Sequence, residues 1–149
     1  MNEKEKDMLI KDICARTPYN VIGKCEIEAS YDTPFDTIYQ THKFDAVVYG
    51  LKEDLLLVTP LIEDDDEQIF AEEEVANGID ILDFTPYLFP LSSMTEEQEK
   101  EYNDLNNCEL GCFPHTEDAL DYLLKNHFDY RGLIEKSLAL DATNLGVYE

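Results

Sequence analysis

The stretch VIGKCEIE, Val21 to Glu28, puts Val21, Gly23, Cys25 and Ile27 on one side and Ile22, Lys24, Glu26 and Glu28 on the other. A period of two, with the charges gathered on one side, predicts a half-buried strand. Beyond the turn-rich residues Ser30 to Asp36, further strands are predicted at Thr37–Thr41, Ala46–Leu51 and Leu55–Thr59, the last two joined by Lys52-Glu53-Asp54. Connections this short cannot hold a crossover helix, so the strands must form an antiparallel meander. Asn77-Gly78 turns the chain into a last short strand, Ile79 to Leu82.

Helices flank this β region. Asn2 and Glu5 make a capping box ahead of an apolar stripe of Met8, Leu9, Ile13 and Cys14, which Thr17-Pro18 ends. Thr95 with Gln98 opens a second helix whose first turn carries Glu96, Glu97 and Glu99. Thr116 caps a third, with Leu120, Leu123, Leu124 and Phe128 facing a core. Gly132 supplies a turn before a final segment, Leu133 to Leu140. The fold class that follows is α+β: an N-terminal helix, a bent antiparallel sheet or small partly open barrel of about four to five strands, and two C-terminal helices. The plan is a single domain over 1–149, with a helix at 1–17, an antiparallel β region at 18–84 and a mainly helical part at 85–149.

Charge sets the functional bounds. The chain has 149 residues and a formal net charge of −23, yet 44% of its residues are hydrophobic and it carries nine Tyr and seven Phe. Such a composition can fold around a core. Between Leu51 and Lys100 there are 15 carboxylates against Lys52 and Lys100 alone. A surface of that sign repels nucleic-acid phosphates and anionic lipid. Within 62–77, Asp64, Asp65, Asp66 and Glu67 form one cluster and Glu72, Glu73 and Glu74 another, around Ile69-Phe70-Ala71. Like charges so dense predict an exposed loop or hairpin tip. The opening residues MNEKEKDMLIKDICAR lack the apolar core of a secretory signal, and no apolar run approaches the about 20 residues of a membrane span. The expectation is a protein of the cytoplasm of a bacterial host, with free thiols at its four cysteines.

Three blocks, ICARTPYNV (Ile13–Val21), PYLFPLSSMTEEQ (Pro86–Gln98) and HFDYRGLIEKSLAL (His127–Leu140), carry a resemblance. In order and content they are similar to those of a family of small uncharacterised proteins of gut Bacteroidetes and of their phages and mobile elements. That family reads close to LCARLPYGV, KPYLRPMSSMTEEE and HFDYRGLIEKGLAL. Here Asn20 and Ser137 stand at its glycines, and Thr85 and Phe89 at its lysine and arginine. The resemblance implies a biological setting and no activity.

The chemistry on offer is sparse. Cys108, Cys112 and His115 have ligand types that suit zinc, but the usual fourth ligand is missing from the local spacing. Cys14 and Cys25 fall on expected core faces, where thiols are inert. The acidic run Asp64-Asp65-Asp66-Glu67-Gln68 lacks the glycine that a calcium loop places at its sharp turn. Arg16 and Arg131, the only arginines, read as structural partners of carboxylates. The sequence therefore favours a non-enzymatic interaction protein without a cofactor. In this reading Asp64, Asp65, Asp66, Glu67, Glu72, Glu73 and Glu74 meet a basic protein partner, and the acidic surface could imitate nucleic acid as an inhibitor or counter-defence factor. The alternative is a small zinc enzyme or zinc-stabilised module built on Cys108, Cys112 and His115.

Overall fold

Helix α1 spans Glu3–Arg16 and is closed at its start by the expected box: the Glu5 N–H donates to the Asn2 side chain, and the Asn2 N–H to the Glu5 carboxylate. Its buried side is Leu9, Asp12, Ile13 and Arg16. Two of those four residues are charged. They form a buried pair one turn apart, Arg16 Nε to Asp12 Oδ2 at 2.7 Å and Nη2 to Oδ1 at 3.2 Å. With that pair on the inner side the stripe is rotated from the expected one, and Cys14 is exposed. A short 3₁₀ turn, Thr17–Tyr19, follows, and Asn20 takes the left-handed conformation (φ 58°) that directs the chain into the sheet.

The structure, a computed structural model, describes residues 1–107 and 113–149, which fall into two compact units, Met1–Pro86 and Tyr87–Glu149. In the first unit β1 (Ile22–Asp32) and β2 (Thr37–Lys52) pair antiparallel over eleven positions, from Ile22↔Val47 to Asp32↔Thr37. The strands expected at Thr37–Thr41 and Ala46–Leu51 are thus one. Lys43 and Asp45, which look like a break in the sequence, occupy the outer face, where Lys43 Nζ meets Glu26 across the ladder at 3.1 Å. Thr33 seals the turn, its hydroxyl donating to the Asp36 carbonyl and accepting from the Asp36 N–H.

Strand β3 (Leu55–Pro60) pairs with β2 from Ala46 onward, and the register slips between Val48 and Gly50, leaving Tyr49 as a bulge. Two-residue β4 (Ile79–Asp80) pairs with β3, and the first residues of β5 (Phe84–Pro90) pair with β1. The order β4-β3-β2-β1-β5 makes an open antiparallel sheet. Its alternation is as the sequence predicts: Val21, Gly23, Cys25 and Ile27 are all buried. Phe44, Ala46, Val48, Leu56 and Val58 join them, with Leu9 and Ile13 of α1.

The largest departure lies at 62–77, which is not a loop. Residues Asp65–Val75 form helix α2, capped by Asp64, whose carboxylate accepts the Glu67 N–H at 3.0 Å. The capping carboxylate and the acids of the first turn lie where the helix dipole favours them, and Ala71 and Val75, one turn apart, bury an anchoring edge.

In the second unit, Tyr87–Pro90 of β5 pairs in parallel with β6 (Phe128–Asp129) and with β7 (Leu140–Asp141). Seven strands among the described residues, two of their pairings parallel, replace the four or five antiparallel strands expected. The two C-terminal helices are present: α3 (Glu96–Asn106), with the Thr95–Gln98 box, and α4 (Glu117–Lys125), capped by Thr116. Tyr102, Ala119, Leu123 and Phe128 form their core. Leu133 to Leu140 turns rather than forming a helix, because both Asp129 oxygens bind backbone, accepting from the Leu133 and Ile134 N–H groups at 2.9 Å each. The segments 87–94 and 127–140 pack together, with Phe89 N donating to His127 O at 2.8 Å and Tyr87, Leu88, Phe128 and Leu133 all buried.

Two substitutions test these contacts. A Cβ placed on Gly23 runs into the Phe84 ring, so Gly23→Ala is expected to cost about 1–3 kcal/mol in urea unfolding, and Phe84→Leu in the same chain to recover part of it. Asp12→Ala leaves a buried guanidinium without its carboxylate and should cost about 3–5 kcal/mol by the same measurement.

Candidate functional site

Helix α2 carries six carboxylates and no base in eleven residues, and Asp64 caps it. Of the seven acids singled out in the sequence, six are exposed and Glu74 is half-buried. Around the helix, Asp65, Asp66, Glu72 and Glu73 fall on the side of Ile69, an isoleucine that is itself 56% exposed. The acids thus form a ridge with an apolar residue in its middle.

The ridge is held by side chains that carry no charge. Gln68 accepts from the Ile62 N–H at 2.9 Å and donates to the Pro60 carbonyl at 2.7 Å and to Glu72 at 2.9 Å. It ties the first turns of α2 to the end of β3. The ring of Phe70 meets His42 of β2 edge-on, centroids 4.9 Å apart. Between α2 and β2 lies a cleft of about 410 Å³, whose walls include Thr41, His42 and Phe44 on the strand and Asp66, Glu67 and Phe70 on the helix. Lys43 also borders it, with its ammonium held by Glu26.

Sequence reasoning missed Gln68, Phe70 and His42. A signal for α2 was present: Asp64 followed three residues later by Glu67 is a helix-start pattern, and Gln68, Ala71 and Val75 recur at helical spacing. The density of carboxylates obscured it.

The other candidates are dispersed. Cys108 and Cys112 lie outside the described residues. His115 is exposed, with its backbone N–H donated to the Asn106 side chain. Among the described residues no group of three or more His, Cys, Asp or Glu side chains is placed to hold a metal ion. Arg16 is paired with Asp12, and the Arg131 guanidinium lies 4.9 Å from the centroid of the Tyr130 ring. Cys25 is fully buried, and burial, reinforced by the Asp45 and Asp83 carboxylates, pushes its thiol from 9.0 up to about 12. That suits a core filler and disables a nucleophile. No helix among the described residues is long and apolar enough to cross a membrane.

No protein-family model, curated protein or solved structure matches this chain. The local geometry therefore carries the functional argument.

The cysteines provide a direct check. In the native protein at neutral pH, iodoacetamide is expected to label exposed Cys14 and to leave Cys25 unmodified until denaturant is added, as read by peptide mass spectrometry. Because the folded-state value of Cys25 is raised, its contribution to stability is complete below pH 9.0 and falls as pH rises toward about 12. Replacing Cys25 by Ala should flatten the stability–pH curve in that window.

Proposed function

We propose that this protein is a non-enzymatic interaction protein whose acidic ridge on α2 engages a basic protein partner, in the manner of a nucleic-acid mimic. The observation that carries this reading is the placement of Glu72, Glu73 and Glu74 at the C-terminal end of α2, with no base in its last turn. The helix dipole disfavours negative charge there, by about 0.3–1 kcal/mol for each surface site. Acids in the first turn can be explained by helix stability. Those in the last turn run against the dipole, and a gain made in binding would offset that cost.

The carboxylates stand in two groups of three, Asp65 to Glu67 and Glu72 to Glu74, one toward each end of a helix about 16 Å long. Because a capped helix fixes these charges, a partner meets them already ordered and loses less entropy on binding than a mobile loop would require. The similarity of three sequence blocks to proteins of phages and mobile elements supports a counter-defence setting, in which a basic nucleic-acid-binding protein is the natural target.

The test is a sevenfold variant, Asp64→Asn, Asp65→Asn, Asp66→Asn, Glu67→Gln, Glu72→Gln, Glu73→Gln and Glu74→Gln, compared with the parent chain in affinity capture from host extract at low and high salt. The parent chain is expected to retain a basic nucleic-acid-binding protein that duplex DNA displaces, and the variant to lose it while keeping its circular dichroism spectrum. Equal capture by both chains, or capture that salt leaves unchanged, defeats the reading. In a separate measurement, Glu72→Gln, Glu73→Gln and Glu74→Gln together should raise stability by about 1 kcal/mol or more as they weaken binding, since they relieve the dipole.

A further inference from the structure

The cleft between α2 and β2 has features that a solubilising acidic helix does not need. Its lining is aromatic on both sides: Phe70 of α2 and His42 of β2 meet edge-on at 4.9 Å, and Phe44 also borders it. On the helix side Asp66 and Glu67, both exposed and within about one turn of Phe70, make the rim anionic. Lys43 borders the cleft as well, and its ammonium is engaged with Glu26 of β1 at 3.1 Å. What fits against aromatic rings flanked by two carboxylates is a planar cation able to stack on a ring while forking toward the acids. Arginine matches both demands; lysine's ammonium matches only the charge.

The approach to the cleft is also specific. Strand β3 pairs with β2 from Ala46 onward, and Leu61 N extends that contact by one hydrogen bond, to the Asp45 carbonyl at 2.8 Å. Over Thr37–Thr41, β1 is the only strand paired to β2 among the described residues. The side chains there are open, Ile38 52% and Tyr39 68% exposed. This edge leads directly to Thr41 and His42 at the cleft. An extended segment hydrogen-bonded along it would carry alternate side chains toward α2.

We propose that the α2–β2 cleft is an arginine-reading pocket, filled by an arginine from an extended basic segment of the partner that adds alongside β2 at Thr37–Thr41. This rests on the basic-partner reading above and assigns it a residue and a docking mode.

The probe is a capped synthetic peptide of alternating threonine and arginine, with lysine and citrulline counterparts, measured against the full chain by fluorescence anisotropy at low salt and by amide NMR shifts. The arginine peptide is expected to bind about threefold tighter than the lysine peptide, the citrulline peptide to lose binding, and the largest shifts to fall on Thr37–Phe44 and the first turn of α2. Phe70→Leu, checked for an unchanged fold by its NMR spectrum, should abolish the preference for arginine over lysine. Asp66→Asn with Glu67→Gln should weaken the arginine peptide about tenfold, and the distal pair Glu72→Gln with Glu73→Gln much less. Equal weakening by the two pairs, with no preference for arginine, overturns the pocket and leaves the acidic ridge as a diffuse electrostatic surface. Absence of binding to the arginine peptide also overturns the pocket, while capture of a basic protein from extract still decides the ridge.

Discussion

The eleven-position ladder between β1 and β2 is the constraint on which the first unit depends. It fixes which side chains of both strands face inward, since a slip of one residue would turn Cys25, Ile27, Phe44 and Ala46 outward together. It also sets the places of β5 and β3: β5 joins β1 at Gly23–Cys25, and β3 joins β2 at Ala46–Lys52. Gly23 has no side chain because the Phe84 ring of the neighbouring strand occupies that space. The hairpin is longer than the strands added to it, so its distal half continues beyond them. That extension sets the edge of β2 beside the first turn of α2.

Much of this was legible in the sequence because it rests on local rules. The cap residues Asn2, Thr95 and Thr116 and the alternation of Val21 to Ile27 each depend on neighbours a few positions away, and all were readable. What was hidden depends on distant partners. Lys43 and Asp45 interrupt an apolar pattern, and only Glu26 and Lys24, opposite them across the ladder, show that they belong to a strand. Tyr87 and Leu88 lack a clear period because their strand is paired in parallel by residues some fifty positions later, which no local pattern encodes. Asp129 reads as a surface acid until both its oxygens are seen to organise the following turn. At the candidate site the acids were visible and their scaffold was not. Eight carboxylates from Glu63 to Glu74 suggested mutual repulsion, whereas Asp64 capping, Gln68 bridging and the burial of Ala71 and Val75 are enough to hold a helix.

Two non-glycine residues in the left-handed region, Asn20 and Ser137, have φ of 58° and 60°. Asparagine accepts that conformation at small cost and serine at a larger one. In the second unit, Ser137 lies in the turn whose start Asp129 secures, where several hydrogen bonds determine the backbone together and the strained residue is carried by its surroundings. The last-turn acids of α2 are maintained in a comparable way, against the helix dipole and on a helix that Gln68 ties to Pro60 and Ile62.

The extended hairpin also bears on the behaviour of the protein in bulk. An arm with open strand edges and exposed Phe35, Ile38 and Tyr39 is a template on which copies of the chain could stack edge to edge. At neutral pH each copy carries a formal charge of −23, and mutual repulsion opposes that contact. Colloidal stability therefore rests on the excess of carboxylates. Acidification into the carboxylate range, or saturation with polycations, removes that repulsion and leaves the hairpin edges open to pairing.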